Sequence, residues 1–108
     1  MPYHEELVER VRGVLAGKAF KERKMFGGLT FMVQGNMACG VAGDRLMVRV
    51  GPERHDEALA RKHAELMDFT GRPMKGMVSV GSEGLTGKKD LKAWVQRGID
   101  FALSLPAK

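Results

Sequence analysis

Apolar residues alternate with a period of two through the middle of the chain. Leu29, Phe31 and Val33 share one phase, and Leu46, Val48 and Val50 repeat it. Between these runs stand Gln34-Gly35-Asn36 and Ala42-Gly43-Asp44, residues that tolerate tight-turn dihedrals. The pattern predicts a meander of three antiparallel strands at about 29–33, 37–42 and 45–50. Three strands with one apolar face can hold a fold if other elements cover that face.

The flanking chain supplies such a cover. Leu7, Val8, Val11, Val14 and Leu15 recur at helical spacing and predict an amphipathic helix over 4–16, with Gly17 as its stop. Glu5, Glu6, Glu9, Arg10 and Arg12 take its other side, and the early glutamates suit the positive end of the helix dipole. Lys18 to Lys24 reads as a short, charged, solvated link in which Phe20 anchors to the core. The alternative for this link is an anion-attracting rim beside Gly27-Gly28, two glycines that suggest a bend or bulge. Gly51-Pro52-Glu53 ends the third strand and opens a short helix over 53–62. Two short strands follow at 65–70 and 77–80, joined by Gly71 to Gly76, and then a glycine-bearing loop at 81–87. Leu91, Trp94, Val95, Gly98, Ala102 and Leu105 share one side of a closing helix over 89–105, which Pro106 terminates.

Composition narrows the setting. A chain of 108 residues forms one domain, 1–108, and its 44% hydrophobic and 29% charged content is that of a globular protein. No apolar run approaches the roughly 20 residues that span a bilayer, and the polar, acidic start is not that of a signal peptide, so no membrane partner is expected. One cysteine, Cys39, excludes an internal disulfide and suits a reducing compartment, so the expected location is the cytoplasm. The net charge is +5, and residues 69–108 carry seven Lys/Arg against three Asp/Glu. That surplus favours encounter with polyanions. Arg72, Lys75, Lys88, Lys89 and Lys92 are the candidate anion or nucleic-acid contacts, provided that the fold brings them together.

Residue chemistry points away from catalysis. Gly71 to Gly76 has the glycine spacing of a phosphate loop, but Met77 stands where lysine is required. His4, His55 and His63 are far apart; the last two could share one side of a short helix, but a third ligand is lacking. No serine lies in a nucleophile-elbow motif, and Cys39 in a strand reads as a buried small hydrophobe. No catalytic residue, cofactor or metal is therefore expected. Met32, Met37 and Met47 occupy the strand phase opposite to the core set and are the candidate partner surface, either for another protein or for a homodimer.

Three segments in order, MFGGLTFMVQGNMACGVAGDRLMVRVGPE, DFTGRPMKGMVSV and DLKAWVQRGIDFALSLP, resemble the N-terminal domain of the TfoX (Sxy) family. These are bacterial regulators of natural competence and their shorter relatives. The resemblance implies an α+β fold like that of secretion chaperones: helix, three strands, a helix crossing within the sheet, two strands and a closing helix. It implies no enzyme activity. Full-length competence regulators have a second, C-terminal domain, whereas this sequence runs to Lys108. The expected function is thus a regulatory or protein-interaction module with a protein partner. The alternative is an accessory protein that binds nucleic acid weakly and without sequence preference.

Overall fold

The computed structural model describes residues 4–25, 28–68 and 73–106. They form an α+β fold of three α-helices and one antiparallel sheet of six strands. Helix α1 (Glu5–Leu15) leads into β1 (Lys21–Met25), β2 (Gly28–Val33), β3 (Asn36–Ala42) and β4 (Arg45–Arg49). A 3-10 turn (Pro52–Arg54) and α2 (His55–Leu59) then cross to β5 (Ala64–Asp68), which pairs with β6 (Pro73–Val80). A second 3-10 turn (Ser82–Leu85) precedes α3 (Lys88–Ser104). The strand order is β1-β2-β3-β4-β6-β5, so β6 inserts between β4 and β5.

The meander lies where alternation predicts it. Gln34 and Gly35 both have positive φ, 53° and 81°, the arrangement of a two-residue hairpin turn matched to strand twist. Leu29, Phe31, Val33, Cys39, Val41, Leu46, Val48, Val78 and Val80 share the core with Leu7, Val11 and Leu15 of α1. Leu91, Trp94, Val95, Ile99 and Ala102 of α3 complete it. The closest approach is at Gly98, where an added Cβ would stand 2.1 Å from the Ala38 carbonyl oxygen. Ala38 lies beside the irregularity in the β2–β3 register, where Phe31 pairs with Cys39 and Met32 with Met37.

Several expectations are corrected. The charged link around 18–24 is largely a strand: Lys21–Met25 pairs with β2 as the edge of the sheet. Its ladder bonds are made by backbone, and charged side chains suit an exposed edge because they discourage further pairing. On this strand Glu22 accepts two hydrogen bonds from Arg12 of α1, from Nε at 2.6 Å and Nη2 at 2.7 Å. That donation holds the Glu22 carboxyl below its usual range and raises Arg12. The bend or bulge expected at Gly27-Gly28 falls partly outside the described residues, since Gly27 is not among them, and a separate register irregularity lies at Phe31/Met32. Gly28 serves close packing, since a Cβ there would meet the Val41 carbonyl oxygen at 2.1 Å. The second helix ends at Leu59 rather than 62, and the last strand begins at Pro73 rather than 77. Most of the expected connection over 71–76 is therefore strand, and Gly71 and Arg72 lie outside the described residues.

Candidate functional site

Helices α1 and α3 pack side by side on the sheet and leave an open groove of about 470 Å³ along their seam. Arg10, Lys88 and Lys92 supply its charged rim, and exposed Gly13, half-buried Val14 and buried Leu91 its apolar lining. None of these described lining residues is acidic. Arg10, Gly13 and Val14 fall on one stripe of α1, and Lys88, Leu91 and Lys92 on one stripe of α3, because residues three and four apart share a helix face. Arg10 is fixed in place: its guanidinium donates to the carbonyl oxygen of Leu85 and, at 3.4 Å, to that of Thr86. It thereby ties α1 to the turn that leads into α3.

Of the basic residues singled out by sequence, Lys88 and Lys92 converge here. Lys89 is exposed one position further round α3 and does not line the groove. Lys75 belongs to β6, and Arg72 lies outside the described residues. Arg10, Gly13 and Val14 were not among the candidate contacts. Their shared helical stripe was visible in sequence, but only the packing of α1 beside α3 makes it one wall of a groove.

The second strand phase has a different fate. Met37, Met47 and Met77 gather on the face opposite the main core, with Met32 and Ala42 packed against them. Met47 is 2% exposed, and a Cβ added at Gly40 would stand 2.9 Å from its terminal methyl. The thioether side chain thus fills the space that Gly40 leaves across the ladder. Met32 is half-buried and Met37 buried, so these residues do not present the open apolar patch on which a partner or dimer surface was expected. Leu103 is the one large exposed hydrophobic among the described residues.

The titratable groups do not assemble. His55 is buried, and its Nδ1 accepts the Gly76 N–H at 2.9 Å, a structural bond that holds β6 against α2. His63 lies beyond the end of α2 in a turn with φ of 68°, with Nδ1 3.7 Å from a Glu83 carboxylate oxygen. The two histidines therefore do not share a helix side. Among the described residues no group of three or more His, Cys, Asp or Glu is placed to hold a metal ion. No helix among them is long and apolar enough to cross a membrane.

Cys39 is fully buried, and burial pushes its thiol up to about 12 because the thiolate would lose its hydration. It should therefore resist thiol reagents at pH 8 until the chain unfolds. The folded value is raised, so this stabilisation is complete below about 9, the ordinary thiol value, and is lost as pH rises toward about 12. Urea unfolding from pH 8 to 11 should show the decline, and Cys39→Ala should lack this component of it.

Residues 14–102 match the TfoX N-terminal domain, which covers most of the chain, including the Val14, Leu91 and Lys92 positions of the groove. The chain belongs to the TfoX N-terminal domain family. Comparison with curated proteins returned no match. Arg10 and Gly13 lie just before the matched span, so the α1 wall of the groove falls mostly outside it. In this TfoX N-terminal domain the α3 wall lies within the family match and the α1 wall straddles its start.

Proposed function

We propose that the chain acts as a non-enzymatic regulatory module that works by binding a protein partner, in the manner of competence-related regulators. Membership of the TfoX N-terminal domain family is the observation that carries this reading. The open groove between α1 and α3 is compatible with it, since its lining combines apolar and charged residues as protein interfaces do. Affinity capture with the folded chain, followed by reconstitution with the purified partner in a calorimeter, tests the reading. A stoichiometric complex is expected. Turnover in a broad hydrolase or transferase screen, with no reproducible partner, would count against it.

A second reading is favoured by one feature, the three cations around a groove with no described acidic lining. On that basis the chain would bind nucleic acid through phosphates, without sequence preference, with a Kd on the order of 10⁻⁴–10⁻⁶ M near physiological salt. Trp94 is buried, so it offers no stacking platform. Titration of a labelled duplex at two salt concentrations checks this. Binding should weaken steeply with salt and fall in Lys88→Glu/Lys92→Glu, and no binding at low salt would remove the reading.

A further inference from the structure

We infer that the groove between α1 and α3 is a docking site for an acidic amphipathic helix of a partner protein. This rests on the protein-interaction reading above and names its site and the chemistry of its partner.

Charge is the first ground. Arg10, Lys88 and Lys92 stand around the groove, and Arg10 is held there by the Leu85 and Thr86 carbonyl groups. Lys88 and Lys89 lie in the first turn of α3, at the positive end of its dipole, where cations are disfavoured. By contrast, α1 opens with Glu5 and Glu6 and α2 with Asp56 and Glu57, all placed in accord with their dipoles. Asp90 offsets the cations at α3 only in part, and it faces a separate cleft beside Trp94 and Arg97. Arg10 also borders a neighbouring cleft lined by Glu6 and Asp44, so the positive charge at the groove comes chiefly from Lys88, Lys92 and the start of α3, which suits a partner with acidic flanks.

Gly13 is the second ground. Glycine inside a helix is unfavourable relative to alanine, so a compensating contact is expected. At Gly98 of α3 that contact is visible, because the Ala38 backbone would overlap a Cβ. Gly13 is exposed, has no positive φ, and a Cβ there would meet nothing within 4 Å. Its missing side chain serves no packing among the described residues and leaves the α1 side of the groove open. An incoming helix can then bring its backbone close to α1, as Ala38 approaches α3, and lay apolar side chains on half-buried Val14 and the aliphatic stems of Lys88 and Lys92. Such a partner reads as apolar residues at i, i+3, i+4 and i+7 with glutamate or aspartate beside them. A phosphate backbone would use the rim but leave that apolar lining unpaired, so the lining favours peptide.

The probe is a labelled synthetic helix of about five turns, with leucines along one side and glutamates flanking them. Fluorescence anisotropy should show saturable binding to the full chain. Lys88→Glu/Lys92→Glu should weaken it about tenfold or more, because two rim charges reverse. Gly13→Leu should fill the groove and abolish it, while circular dichroism shows both variants folded. Binding indifferent to these substitutions overturns the inference, and so does equal binding of a peptide with glutamine in place of glutamate. A DNA duplex that binds more tightly and displaces the peptide overturns it in favour of nucleic acid. Light scattering that shows self-association through the groove overturns it in favour of a second copy. Capture with the double variant separates the two levels. A partner retained by Lys88→Glu/Lys92→Glu leaves the interaction reading intact and removes the groove. Peptide binding without any captured partner does the reverse.

Discussion

Gly98→Ala should destabilise the fold by about 1–3 kcal/mol, although alanine is the better helix former by about 1 kcal/mol. The added methyl would stand 2.1 Å from the Ala38 carbonyl oxygen and 2.8 Å from its carbon. Neither atom can swing aside as a side-chain end could, because both belong to a strand paired with β2 and β4. Either α3 lifts from the sheet or β3 bends, and Leu91, Val95, Ile99 and Ala102 lose contacts in the first case. Urea unfolding measures the loss, which in a domain of this size lowers Tm by about 4–8 °C per kcal/mol. Gly13→Ala is the internal control: with nothing within 4 Å of its Cβ, it should gain about 0.5–1 kcal/mol. Opposite signs at two glycines on exposed and packed helix faces are the expected result. A stabilising Gly98→Ala would show that α3 does not lie on Ala38.

Phe31→Ala should have the larger effect, a loss of about 3–5 kcal/mol. Phe31 is fully buried, on β2 between Glu22 of the edge strand and Cys39 of β3. Its ring lies 6.0 Å from that of Phe20, tilted by 50°, so it also anchors the segment entering β1. Truncation removes a large apolar side chain and leaves a cavity that flanking paired strands cannot readily close. Against a total stability of about 5–15 kcal/mol, that loss brings the chain near the point of unfolding. Urea unfolding of both proteins reads the difference as a shift in midpoint at similar slope. Phe31→Leu keeps most of the apolar volume and should recover most of the stability. A near-neutral Phe31→Ala would mean that β2 does not face the helices as described.

These two residues mark the boundary between what was legible and what was not. Phe31 was assigned to the core face from alternation alone, because a strand sends successive side chains to opposite sides. Gly98 was assigned to the apolar side of the last helix by the same kind of reasoning, with a helical period. What it touches was not legible, since nothing near Gly98 in sequence points to Ala38. The groove divides in the same way. Lys88 and Lys92 were candidates from charge, while Arg10 was set aside with the solvated face of α1 and Gly13 carried no signal of its own. Proximity between residues some 80 positions apart belongs to neither helix pattern.

The sequence by itself determined the three-strand meander, its hairpin turns, the inward faces of the first and last helices, and the α+β class. Each is a local periodicity or a turn chemistry, and burial of one face must follow whichever residues repeat at that period. Tertiary structure alone decided that Lys21–Met25 is a strand, since a charged edge gains its ladder from the backbone of β2 and carries no apolar alternation. It decided that β6 stands between β4 and β5, a choice among pairings that the strand pattern leaves equal. It decided that Met47 is buried, because Gly40 across the ladder has no side chain to hold that space. It also placed Arg10 against the rim lysines of α3, because such contacts depend on the angle at which two helices rest on one sheet.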